Sequence, residues 1–305
     1  MSGARLTGGI LLPFITVTLI WSSTWIVIRD QLGHVPPGWS VCYRFAVAAI
    51  GMAVLARLSG QSLAIGRRAI AFAAALGLFQ FSLNFNLLYR AEAHLTSGLC
   101  ALVYALLMIP NSLFARLFFG ERVSGGFLAG SAVAILGIAL LFVHEYRGSV
   151  TASPQDVLLA LGLCVVAVLC ASVANVMQAA PIARTVPMAS LLVWAMAIGA
   201  AADAGYAWIT TGPPVIDPRP AYWLGVLYLA LAGSVITFPL YFRLIQRIGA
   251  GPAAYTSLLI PILAMGISTL FEGYRWTPLA IGGVMLALGG MVLALRARLA
   301  RQAGG

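Results

Sequence analysis

Of 305 residues, 61% are hydrophobic and 9% charged, and the mean hydropathy is +0.98, so the chain has too little polar surface to cover a water-soluble globule. Its solvent is lipid; since a bilayer core about 30 Å thick takes about 20 apolar residues per helix, there is room for roughly ten to twelve spans and none for a separate soluble domain. The formal charge of +10 reads as membrane orientation and not as a nucleic-acid partner, because the arginines lie in short connections and near the ends of apolar runs.

Apolar runs bounded by Arg, Pro and Gly predict helices α1 over 9–31, α2 over 37–58, α3 over 69–91, α4 over 95–119 and α5 over 124–143. A polar break from His144 to Ser153 separates them from α6 over 154–179, α7 over 187–209, α8 over 220–246, α9 over 251–272 and α10 over 277–297. The first run is longer than a signal-peptide core, lacks a small-x-small cleavage site and leads directly into further spans, so α1 is expected to persist. The expected fold is an all-α membrane protein of ten transmembrane helices, divided into a five-helix unit over 1–148 and a second over 149–305.

With the amino terminus in the cytoplasm, five arginines (Arg29, Arg90, Arg147, Arg219, Arg275) fall at outer helix ends, twelve at cytoplasmic ends, and Arg44 lies inside a run. Seven of the eight acids lie toward the outer side, leaving Glu121 inside. The positive-inside rule therefore predicts that both termini are cytoplasmic.

The halves echo each other. Pro110 and Glu121 are eleven residues apart, as are Pro261 and Glu272, at an offset of about 151. Gly130 and Gly137 in α5 answer Gly282 and Gly289 in α10, and Pro36 before α2 answers Pro187 before α7. A unit with an odd number of spans forces the second copy to enter from the opposite face, which makes an inverted repeat. Inverted repeats recur in secondary transporters, with the binding site between the halves near the midplane.

Polar side chains in hydrocarbon mark a bundle interior or a path. Trp21 and Trp25 share a face of α1 with Ser22 beside them, and α3 offers Gln80 and Asn84 one turn apart. On α4, Cys100, Tyr104 and Asn111 project as one stripe; α6 gives Ser172, Asn175 and Gln178; α8 gives Thr237 and Tyr241; α9 gives Tyr255, Thr256 and Ser257. Helix–helix hydrogen bonding explains any one of these, but their concentration on six helices, with α5 and α10 nearly silent, fits a polar and aromatic cavity better. Trp21, Ser22, Gln80, Asn84, Tyr104, Asn111, Asn175, Gln178, Tyr241 and Tyr255 are the candidate substrate contacts. Pro110 and Pro261, each removing a backbone bond, are candidate hinges. Trp39, Trp208, Trp223 and Trp276 fit an interfacial belt. Arg44 sits about 9 Å into α2. It snorkels outward, braces the outer side with Asp30 or Glu92, or faces a substrate carboxylate.

Trp21-Ser22-Ser23-Thr24-Trp25, Arg44-Phe45, Pro110 with Glu121-Arg122, and Pro261 with Glu272 together resemble the drug/metabolite transporter superfamily, and more narrowly its ten-helix EamA-type exporters, over residues 10 to 297. The resemblance implies export of aromatic and other neutral amino acids from a bacterial inner (plasma) membrane. The chain departs from that pattern in two places. Cys170-Ala171-Ser172 replaces a second Trp motif, and mid-α1 lacks the acidic residue of the small four-helix multidrug relatives.

His34, His94 and His144 fall at outer helix ends, and no nucleophile elbow, phosphate loop or clustered metal ligands appear, so no enzyme, cofactor or metal is expected. The four cysteines sit in apolar runs and are expected to stay unpaired. The expected partners are the lipid bilayer and a small neutral or zwitterionic metabolite, with an amphipathic drug, a purine-type metabolite or a channel function as alternatives. The oligomeric state is left open.

Overall fold

In the computed structural model, which describes residues 8–120, 122–148, 153–248 and 256–303, every regular element among those residues is helical. Helix α1 is Gly8–Gln31, α2 Pro37–Leu58, α5 Gly125–Gly148, α6 Pro154–Gln178, α7 Met188–Thr211, α9 Thr256–Phe271 and α10 Pro278–Ala303. The polar break ends where α6 begins on a capping box, in which Ser153 and Asp156 satisfy each other's backbone N–H groups. The stretch between α6 and α7, read as a loop, contains a short helix, Pro181–Thr185.

Three helices are not uniform. Helix α3 comprises Arg67–Gly77, a π-helical segment Leu78–Leu83, and Asn84–Glu92; α8 comprises Pro220–Ala230, a π-helical segment Leu231–Ile236, and Thr237–Ile248. Helix α4 is Ser97–Ala105 and Met108–Phe119, broken at Leu106 and Leu107. Pro110 has no N–H for the Leu106 carbonyl, which instead accepts the Ile109 N–H at 2.8 Å in a tighter turn. The break ends the helical phase, so Tyr104 and Asn111 do not share one stripe of a continuous helix.

Nine helical runs among the described residues are long and apolar enough to cross a membrane, and the apolar part of α9, Leu258–Phe271, is shorter. The predicted start of α9 at 251 lies outside the described residues.

Helices α5 and α10 pack antiparallel through glycines. A Cβ on Gly130 would stand 2.3 Å from the Ala294 nitrogen, and one on Gly137 2.2 Å from that of Ala287. From the other side, Gly283 abuts Leu141 and Gly290 abuts Ala134. Gly282 and Gly289, which the sequence pairing singled out, face open space. The contact stripe runs one residue further on, and one residue is about 100° around a helix.

Helices α2 and α7 are also antiparallel. At one end the Trp39 indole N–H donates to the Gly212 carbonyl at 3.2 Å; at the other the Ser190 hydroxyl donates to the Ser62 carbonyl at 2.7 Å. Trp39 is thus buried against α7, whereas Trp208 and Trp276 are exposed at 58% and 41%, as an interfacial belt requires. Helices α3 and α7 run parallel and touch at Gly77 and Gly199. The two π-helical segments lie 153 residues apart, as do Gly130 and Gly283, and Gly137 and Gly290. Helix pairings recur at the same offset: α1 packs on α9 and α8, and α6 on α4 and α3.

Candidate functional site

The interior is lined by rings from five helices. One turn apart on α1, Trp21 and Trp25 point to the same side: Trp21 lies 5.1 Å from the Tyr241 ring and 5.8 Å from Phe238, and Trp25 5.2 Å from Tyr104. Phe45 of α2 stands 4.9 Å from both Phe81 and Phe85 of α3, and Phe81 meets Phe238 of α8 edge-on at 5.7 Å. Contact geometries of this kind add to burial, about 0.5–1.5 kcal/mol per pair.

Polar groups are set into this cage by the π-helical turns, which re-aim the side chains that follow them. The Tyr104 hydroxyl donates to Asn84 Oδ1 at 2.6 Å, and the Asn84 amide donates to the Gln80 carbonyl at 3.2 Å. Gln80 Oε1 is buried without a partner. Across the cage the Trp21 indole N–H donates to the Gly233 carbonyl in the π-helical segment of α8, at 3.3 Å. Of the candidates, Trp21 is thus brought to Tyr241, and Asn84, one turn from Gln80, to Tyr104.

The other candidates fall differently. Ser22 gives its hydroxyl to the Thr18 carbonyl of its own helix at 2.6 Å. Asn175 and Gln178 on α6 are half-buried. Asn111, beyond the break in α4, has a buried Oδ1 without a partner. Tyr255 lies outside the described residues. Pro110 follows the α4 break, and Pro261 lies within the continuous α9.

Arg44 is 2% exposed, so it does not snorkel to the headgroups. Nor does it form the expected brace, for Asp30 and Glu92 are beyond ion-pair distance of it. Its guanidinium lies 4.4 Å from the Phe85 ring centroid and 5.1 Å from that of Phe45, with Nε and Nη1 buried and unpartnered. The ring faces hold the cation inside the bundle.

Bracing at the helix ends comes from other pairs. Glu272, at the end of α9, approaches Arg29 at 3.7 Å and accepts from the Ser97 hydroxyl at 2.5 Å and its backbone N–H at 3.1 Å, capping the first turn of α4. Arg29 also donates to the Glu92 carbonyl. The Glu92 side chain is fully buried, with both oxygens unpartnered. In the loop before α8, Arg219 holds Asp217 at 2.9 Å, keeping that carboxyl below its usual range, and reaches Asp30 at 4.0 Å.

Phe45, Phe81, Phe85, Phe238 and the Gly233 carbonyl were not among the candidates. A phenylalanine in an apolar run carries no mark of which rings it will meet, and nothing in the residues announces a π-helical turn. A second polar pair also escaped notice: Asn86 of α3 donates to Asp203 of α7 at 2.8 Å, both buried. Among the described residues no group of three or more His, Cys, Asp or Glu side chains could hold a metal ion.

A family model described as the EamA-like transporter family matches residues 7–143 and again 158–296. The chain is 27% identical over 298 residues to a probable terminal-alkyne amino-acid exporter of Streptantibioticus cattleyicolor, covering 94% of each chain. It is 25% identical over 287 residues to a probable amino-acid metabolite efflux pump of Escherichia coli, covering 88% of this chain and 89% of that one. To protein PagO of Salmonella typhimurium it is 23% identical over 263 residues, 86% and 84% of the two chains. A protein of known crystal structure superposes with a TM-score of 0.69 at 20% identity, covering 96% of this chain and 98% of that one.

Proposed function

Because the chain belongs to the EamA-like transporter family, we propose that it exports amino acids, aromatic ones included, across the bacterial inner membrane, with the substrate carboxylate on Arg44 and its side chain in the cage of rings.

The observation that carries this reading is the buried guanidinium of Arg44, which has no carboxylate within ion-pair distance and whose Nε and Nη1 lack hydrogen-bond partners, Tyr89 being its polar neighbour. An ion withdrawn from water costs several kcal/mol unless it is paired. A carboxylate supplies the missing acceptors and takes a bidentate geometry on the guanidinium fork. The opposite need is met by Gln80 Oε1, an unpartnered buried acceptor suited to an ammonium group. A zwitterion satisfies both, and the rings around Trp21, Trp25, Tyr104 and Phe238 accept an apolar or aromatic side chain. Relatives named a probable terminal-alkyne amino-acid exporter and a probable amino-acid metabolite efflux pump support the same reading.

The reading extends to architecture. Ten spans form two inverted five-helix units, 1–148 and 149–305, with both termini in the cytoplasm. The two family matches, the offset of 153 residues between π-helical segments, and the antiparallel α2–α7 and α5–α10 pairs support it. The Trp21–Gly233 bond, the Trp21–Tyr241 contact and the Glu272 cap of α4 all cross between units. Rocking one unit against the other would open the cage to one side at a time, which is alternating access.

Uptake of radiolabelled phenylalanine into proteoliposomes tests the reading. Unlabelled phenylalanine and threonine should compete, whereas phenethylamine, which lacks the carboxylate, should compete weakly. Arg44→Gln should abolish that preference. Equal competition by phenethylamine in the parental protein would move the reading to efflux of amphipathic drugs or purine-type metabolites.

A further inference from the structure

Asp203 is an ionisable group in the middle of an apolar helix, used neither by the cage nor by the outer braces. It stands eight residues before the end of α7 at Thr211, about 12 Å inside that end, and is 0% exposed. Its Oδ1 accepts from Asn86 Nδ2 at 2.8 Å, while its Oδ2 and Asn86 Oδ1 are both buried without partners.

The surroundings offer no counter-ion among the described residues. From α3 come the uncharged Ser82 and Asn86, whose side chains both reach the carboxylate as donors. Arg90, one turn further out, is turned onto the Tyr206 ring of α7 at 5.0 Å. From α2 the titratable neighbour is the Cys42 thiol, and Gly38 lies against the Asn86 amide. An ionised carboxylate met only by uncharged hydrogen-bond donors, with no cation, is an expensive species in hydrocarbon.

We propose that Asp203 is a proton-binding site that couples transport to the proton gradient. A proton added to Oδ2 turns the carboxylate into a neutral acid whose O–H donates to Asn86 Oδ1 while Asn86 Nδ2 continues to donate to Oδ1. This closes an acid–amide ring and satisfies both orphan oxygens together. The proton comes from water on the side to which the protein is open and leaves to water on the other, restoring the carboxylate.

Helix α3 links this site to the cage. Asn86 Nδ2 also donates to the Ser82 carbonyl at 3.0 Å, inside the π-helical segment, and two residues away Asn84 holds Tyr104. Closing the ring fixes the orientation of the Asn86 amide, and with it the bond from its second N–H to the Ser82 carbonyl in the turn that aims Asn84. The transport side of the proposal rests on the reading of the chain as an exporter; proton binding does not.

Two measurements test it. Infrared difference spectra of reconstituted protein, with aspartate carboxyls 13C-labelled, should show an aspartic-acid C=O band that vanishes as the pH is raised and is absent in Asp203→Asn. No such band in the parental protein, or the same band in Asp203→Asn, overturns the proposal. In proteoliposomes an imposed pH gradient should accelerate phenylalanine transport by the parental protein and Asp203→Glu. It should give no acceleration in Asp203→Asn, which still shows counterflow. Full acceleration in Asp203→Asn, or loss of counterflow in both variants, overturns the coupling. If the parental protein moves no phenylalanine, the amino-acid reading fails while the infrared titration still decides on the proton.

Discussion

Gly137→Ala and Gly289→Ala put the same methyl group on two glycines of the α5–α10 pair with opposite consequences. At Gly137 the new Cβ would stand 2.2 Å from the Ala287 nitrogen and 2.6 Å from the Gly283 carbonyl. Carbon and nitrogen need more than 3 Å and both obstacles are backbone, so the helices must separate by about 1 Å, forfeiting contacts on either side of the seam. At Gly289 the added Cβ meets nothing within 4 Å. Helix propensity favours Ala over Gly by about 1 kcal/mol at both sites and cancels in the comparison. What remains is overpacking, about 1–3 kcal/mol against Gly137→Ala. All four cysteines are buried, so a thiol-reactive fluorophore reports thermal unfolding in detergent directly. Gly137→Ala should melt several degrees below the parental protein, and Gly289→Ala at or above it. Equal melting temperatures for the two variants would refute the glycine seam and the antiparallel register assigned to it.

Tyr104→Phe deletes the bond to Asn84 and keeps the ring on Trp25, so the half-saturation concentration for phenylalanine should rise roughly two- to thirteenfold, for about 0.5–1.5 kcal/mol. Tyr104→Leu also removes the ring contact and should hurt phenylalanine transport more than threonine; equal losses would mean that Tyr104 acts on helix packing. Single cysteines near Arg67 and Arg184 should label from the cytoplasmic side and those near Gly148 and Asp217 from outside. Labelling at Arg184 and Gly148 from the same side would exclude the inverted arrangement.

Composition and apolar run length determined the class of molecule and most helix positions by themselves: α1, α2 and α6 lie within one residue of where the runs placed them. The reason is the solvent, because lipid demands that each span satisfy its own backbone with about 20 apolar residues, a requirement legible in one dimension. The stripe Trp21/Trp25 was legible too, since an i, i+4 spacing survives where the helix stays regular. What tertiary structure alone decided is where that regularity fails and what faces what. The π-helical turns at Leu78–Leu83 and Leu231–Ile236 re-aim Asn84 and present the Gly233 carbonyl to Trp21, and the break at Leu106–Leu107 takes Asn111 off the Tyr104 stripe. Arg44 had several partners open to it in sequence. The structure gives it Phe45 and Phe85 and neither Asp30 nor Glu92 as an ion pair. Asp203, counted by sequence among the acids of the outer side, is buried against Asn86, 117 residues away along the chain. A pairing between two distant helices depends on how each rotates about its own axis, and in a chain that is apolar all round no periodicity in the residues sets that angle.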